Sequence, residues 1–148
     1  MKKLILLLFF LFITNVFADD VATNVLKLKS LNACNSCDLN GAYLLGADLT
    51  GADLTRANFT NADFTDADLT KAYLFEANFT KAYLFGADLT GANLTNAHLT
   101  SADLTGANLT DAILTNADFT DAILTNATIK YAIFCNTNTP WGVENSGC

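Results

Sequence analysis

The sequence predicts an all-β chain wound into stacked coils around an apolar interior, and three observations carry that prediction. Residues 39–134 repeat every five residues without an insertion. Two of the five places are apolar almost throughout: Ala holds the second from Ala42 to Ala132, and Leu, Phe or Ile holds the fourth from Leu44 to Phe134. Thr, Gly, Asn and Asp, all mediocre or poor helix formers, fill most of the other places.

Residues 1–18 read as a secretory signal. Met1, Lys2 and Lys3 make a short basic start, Leu4 to Ile13 is an apolar run, and Val16-Phe17-Ala18 places small residues for cleavage. The run is short of the roughly 20 apolar residues of a spanning helix, and no later segment is apolar enough to cross a bilayer, so no membrane insertion is expected after cleavage. Retention as an uncleaved anchor is the alternative. With no Cys at the cleavage point, a lipidated terminus is not expected. The expected location is periplasmic or extracellular. Removing Lys2 and Lys3 from the eight basic residues leaves six against fifteen acidic ones, a net charge of −9. Such a surface lacks the counter-charge that nucleic acid or anionic lipid requires. Four cysteines in an exported chain read as two disulfides, with three pairings formally open.

Residues 19–38 read as an N-terminal cap. Val21, Val25, Leu28 and Leu31 fall at helical spacing behind Asp19 and Asp20, which suit a helix N-terminus, and this predicts a short capping helix. Cys34-Asn35-Ser36-Cys37 has the spacing of thioredoxin-like motifs, but a repeat follows it where that chemistry needs a helix. Asp38 stands where haem attachment needs His, and the lone His98 is far away, so neither haem nor zinc is expected. A local structural disulfide is the reading, and no cofactor is expected.

The repeat itself excludes a helix, because a five-residue period smears its apolar stripe around a 3.6-residue turn. In extended backbone the second and fourth places share one face and the third points away. The step from the fourth place to the next second place crosses three bonds, so the chain must turn there. Corners therefore fall on the fifth and first places, where Thr, Gly, Asn, Asp, Lys and Ser sit. Coils of such edges satisfy their backbone only by stacking.

This pattern resembles the pentapeptide-repeat family, whose consensus A-(D/N)-L-x-x is matched by nearly every block between Ala42 and Phe134. The resemblance implies four blocks per coil and a right-handed quadrilateral parallel β-helix of about five coils. Interior columns then run twenty residues apart: Leu39, Phe59, Phe79, Leu99, Phe119; Leu44, Phe64, Leu84, Leu104, Leu124; Leu49, Leu69, Leu89, Leu109, Ile129; and Leu54, Leu74, Leu94, Leu114, Phe134. Ala at the second place implies a square too narrow for more, so Ala87→Leu is expected to overpack severely.

Residues 135–148 lose the period and contain Pro140, Trp141, Gly142 and Gly147, which predicts a loop folded over the last coil. With the cysteine pairs at opposite ends of the implied rod, geometry permits Cys34 with Cys37 and Cys135 with Cys148. Exported members of the family look similar at both ends.

Function must then lie outside. Asp48, Asp68, Asp88 and Asn108 form a ladder that could hold cations or simply hydrate the surface. Lys71-Ala72-Tyr73-Leu74-Phe75 and Lys81-Ala82-Tyr83-Leu84-Phe85 put rings at outward places where Asp and Thr are usual. Tyr43, Leu45 and Ile123 share the face of Tyr83 and Phe85; Ile113 and Ile133 share that of Tyr73 and Phe75. Tyr43, Tyr73, Phe75, Tyr83 and Phe85 are thus the candidate interaction surface. The alternative is drift after a ten-residue duplication. The Asn-x-Thr sequons arise automatically from the repeat, and His98 reads as a surface substitution.

The sequence supports a non-catalytic exported module that contacts an unidentified protein through flat faces, as monomer or homodimer. Some relatives resemble an acidic duplex and occupy a topoisomerase; the resemblance implies that alternative, which the export signal opposes because the target is cytoplasmic. An enzyme is not expected, because no nucleophile, base and cleft converge.

Overall fold

The computed structural model describes residues 20–148; the signal reading of residues 1–18 lies outside the described residues. The chain begins with helix α1, Val21–Leu31, whose N-cap Asp20 accepts a hydrogen bond from the Thr23 amide at 2.7 Å. Asn32 ends the helix in the left-handed conformation at φ 49°, donating its amide to Leu28 O. The inward stripe is Val21, Asn24, Val25 and Leu28, not the Val21, Val25, Leu28, Leu31 expected from apolarity. Leu31, the last helical residue, is exposed at the margin of that stripe, whereas Asn24 is buried and donates its Nδ2 to Asp38 O at 2.8 Å.

From Ala33 onward the chain is a parallel β-helix. Each third-place residue bridges in parallel to the one twenty positions on, from Ala33 with Asp53 to Asp118 with Asn138. Both directions of the ladder are made: Leu44 N donates to Asp63 O at 2.7 Å, and Asp63 N donates to Ala42 O at 2.9 Å. A period of twenty means four blocks per turn, each edge too short for more than an isolated bridge. The expected all-β character is therefore carried by single bridges and not by long strands.

Corners follow from one conformation repeated at every first place. Residues there have positive φ, between 55° and 71° from Gly41 to Tyr131, and the second-place amide bonds the preceding fourth-place carbonyl, as Ala42 N does with Leu39 O at 3.0 Å. This is a β-turn with its third residue left-handed, the arrangement that favours Gly and Asn. Arg56, Lys71, Glu76, Lys81, Ser101 and Tyr131 adopt it without that advantage.

The second and fourth places fill the interior. Leu39, Leu44, Leu49 and Leu54 and most of their stacking partners are fully buried, as is Ala87. Phe59 stacks on Phe79 with ring centroids 4.9 Å apart, and Phe64 meets Phe59 edge-on at 4.9 Å. Cys34 and Cys37 occupy fourth and second places at the start of the stack, so their disulfide is part of this interior.

Two expectations change at the far end. Ile129, assigned to a core column, is 38% exposed, and Leu124 is only partly buried, because no further coil covers them. The segment expected as a loop contains an antiparallel hairpin, β1 (Thr137–Thr139) with β2 (Gly142–Glu144). Thr137 and Thr139 hold second and fourth places in one more block, and Thr137 is tolerated inside because its hydroxyl donates to Leu114 O at 2.7 Å. Thr139 and Trp141 close over a small cavity lined by Leu109, Leu114, Phe119 and Leu124. Gly147 N donates to Phe134 O at 2.6 Å, and a Cβ at Gly147 would lie 2.7 Å from Ile133 Cγ2, so this position requires glycine before Cys148 can reach Cys135.

Candidate interaction face

The outer surface is organised by the third place. Its Asp or Asn Oδ1 accepts the amide hydrogen of the fifth-place Thr, as in Asp48 with Thr50 at 3.1 Å, Asn58 with Thr60 at 3.2 Å and Asp68 with Thr70 at 2.8 Å. In many blocks the Thr hydroxyl donates to the same oxygen, at 2.6 Å in Thr105 to Asp103. This bond stabilises the corner and explains the residue choice. The Thr70 side chain holds the Asp68 carboxyl below the usual carboxylate range, and Thr120 does the same for Asp118, with His98 beside it a smaller contributor.

Four external columns result. Asp38, Asn58, Asn78, His98, Asp118 and Asn138 form one, wholly polar; Asp48, Asp68, Asp88, Asn108 and Thr128 form the opposite one, acidic at its start. Between them lie Tyr43, Asp63, Tyr83, Asp103, Ile123 on one face and Asp53, Tyr73, Asn93, Ile113, Ile133 on the other. Among the described residues no group of three or more His, Cys, Asp or Glu side chains converges on one point.

The two ring-bearing faces are unequal. On the Tyr43 face, Tyr43 is 84% exposed, Leu45 66%, Tyr83 56% and Phe85 51%, and Ile123 is also exposed. On the other, Tyr73 and Ile133 are exposed while Phe75 and Ile113 are half-buried. The five candidate residues therefore divide into Tyr43, Tyr83 and Phe85 together, and Tyr73 with a partly covered Phe75 opposite. An open apolar hollow bounded by Val21, Ala22, Val25 and Leu26 of α1 and by Gly41, Ala42 and Tyr43 continues the first face toward the helix.

The family model for pentapeptide repeats matches eight copies over residues 34–70, 77–116 and 102–138. The chain belongs to the pentapeptide-repeat family. Proteins of this family fold as right-handed β-helices, and they are generally structural or binding proteins. Rfr23, a pentapeptide repeat protein of the cyanobacterium Cyanothece 51142, is 30% identical over 76% of this chain and 94% of its own, with a TM-score of 0.62. A pentapeptide repeat protein of the Arabidopsis thaliana thylakoid lumen is 23% identical over 85% of this chain and 74% of its own, at 0.42. QnrB1, a plasmid-mediated fluoroquinolone resistance protein, is 22% identical over 76% of this chain and 60% of its own, at 0.38. No curated protein matches.

Within this pentapeptide-repeat frame the tyrosine blocks lose something. Tyr43, Tyr73 and Tyr83 have no side-chain oxygen placed to accept the amide hydrogens of Leu45, Phe75 and Phe85, so each block lacks the corner bond its neighbours make. The inequality of the two faces was not readable from the spacing, because Phe75 and Phe85 hold the same place in identical Lys-Ala-Tyr-Leu-Phe blocks. The hollow beside α1 was likewise hidden, since it depends on how the helix docks.

Proposed function

We propose that this pentapeptide-repeat protein is an exported, non-catalytic binding module that contacts another protein through the Tyr43 face. It is a rod of about five coils, closed by α1 at one end and by the Cys135–Cys148 segment at the other. The observation that carries the reading is the clustering of Tyr43, Leu45, Tyr83 and Phe85 on one flat face, all more than half exposed. Rings at these places give up a corner hydrogen bond and remain more than half exposed, which is expected of residues kept for contact. Export is supported by the basic start, the apolar run and the small residues before Asp19, and by the pairing of all four cysteines.

The test is affinity capture from an extracytoplasmic fraction with the native protein and with Tyr83→Asn combined with Phe85→Thr. Both substitutions restore residues found at those places elsewhere in the repeat, so the variant is expected to fold. Loss of the captured protein supports the reading; an unchanged capture profile overturns it.

A further inference from the structure

We propose that the Tyr43 face receives a cationic amphipathic helix of a partner protein, lying along the rod with apolar side chains seven residues apart over the tyrosines and Lys or Arg over Asp63 and Asp103. This rests on the proposed function and specifies its ligand.

Register is the first ground. Tyr43, Asp63, Tyr83, Asp103 and Ile123 are successive bridge partners in one column. At strand spacing they are about 4.8 Å apart, so the two tyrosines are separated by about 9.6 Å with a carboxylate midway. An α-helix repeats one face every seven residues, about 10.5 Å, and residues three or four on fall halfway between. A tilt of roughly 25° between the helix and the rod makes the two periods equal. An extended strand does not fit as well, because its same-side residues recur every ~6.7 Å and drift against the column.

Charge is the second ground. Asp63 Oδ1 accepts from Thr65 N at 2.9 Å, and Asp103 Oδ1 accepts from Thr105 N at 3.0 Å and from its hydroxyl at 2.6 Å. Oδ2 of each carboxylate has no hydrogen-bond partner among the described residues. Along this face and its two edges Asp63, Asp66, Asp103 and Asp121 stand against Lys81 alone. Among the described residues the one ion pair, Arg56 with Glu76 at 2.6 Å, lies on a different edge. The face therefore alternates apolar and anionic groups, and its complement alternates apolar and cationic ones. A neutral glycan could stack on the same rings but would leave both carboxylate charges uncompensated.

The test titrates the mature, disulfide-intact protein with a labelled three-heptad peptide carrying Leu at every seventh position and Lys three and four residues on. Controls replace Lys with Glu, or scramble the order at fixed composition. Binding to the first peptide at least tenfold tighter than to either control is expected. It should weaken by roughly fivefold to tenfold in the Asp63→Asn, Asp103→Asn double variant, two exposed charges being lost. Those variants keep the corner bond, as Asn58 and Asn78 do with Thr60 and Thr80. Tyr43→Asn with Tyr83→Asn should abolish binding. Equal binding of the scrambled peptide, indifference to the Asp substitutions, or binding of a β-linked oligosaccharide in place of the peptide overturns the proposal. If the heptad peptide fails while Tyr83-dependent protein capture persists, the helix proposal falls and the contact-face reading stands.

Discussion

One side-chain oxygen decides most of what happens at the third place of each block. Where it is present, as in Asp68 or Asn58, it accepts the fifth-place amide and locks the corner. Tyr83 lacks it, so Tyr83→Asn is expected to raise stability by about 0.5–1.5 kcal/mol in chemical denaturation while removing a contact ring. The same bonds fix the acid response. Asp68 and Asp118 titrate below their usual range, chiefly through Thr70 and Thr120, so on acidification the unfolded chain takes up protons first. Their contribution is full above the unfolded carboxylate range near pH 4 and is lost as pH falls through their lower folded values. Denaturation midpoints should fall in that acidic window, and less so for Asp68→Asn. That third-place residues point outward was legible from alternation alone. Asn24 and Thr137 were not, because a polar side chain is recognised as interior only once its carbonyl partner, Asp38 or Leu114, is in view.

Among the elements, the repeat blocks were the most legible, since two apolar places in five leave extended edges and corners as the economical solution. Helix α1 was legible in existence but not in face. Its apolar spacing pointed to Leu31, but at about 100° per residue Leu31 lies at the margin of the stripe centred between Val25 and Leu28, and it stays exposed. The hairpin β1–β2 was hidden because Thr137 and Thr139 replace the apolar residues that marked every earlier block. Cys135 and Cys148 hold that hairpin segment to the stack. Replacing both with Ser should lower stability by about 3 kcal/mol, with amide exchange rising first in residues 135–148. Ala87 is wholly buried among coils that have no spare width. Ala87→Leu should therefore destabilise by about 3 kcal/mol or more, or prevent folding, as read by loss of cooperative unfolding.

For the whole molecule, the twenty-residue ladder converts a linear list of departures from consensus into faces. The number of blocks per coil came from family resemblance and not from arithmetic, and the parallel bridges twenty residues apart agree with it. What the repeat could not convey is which of two opposed ring-bearing faces is open, since that depends on the partial cover of Phe75 and on the docking of α1 beside Tyr43. The proposed module is an exported rod with a disulfide near each end, built for contact. Its most direct test is the intact mass of the native protein from an extracytoplasmic fraction, measured with and without reduction before thiol alkylation. A chain beginning near Asp19 that takes up alkyl groups only after reduction is the expected result. A full-length chain with four free thiols, recovered from inside the cell, would contradict it.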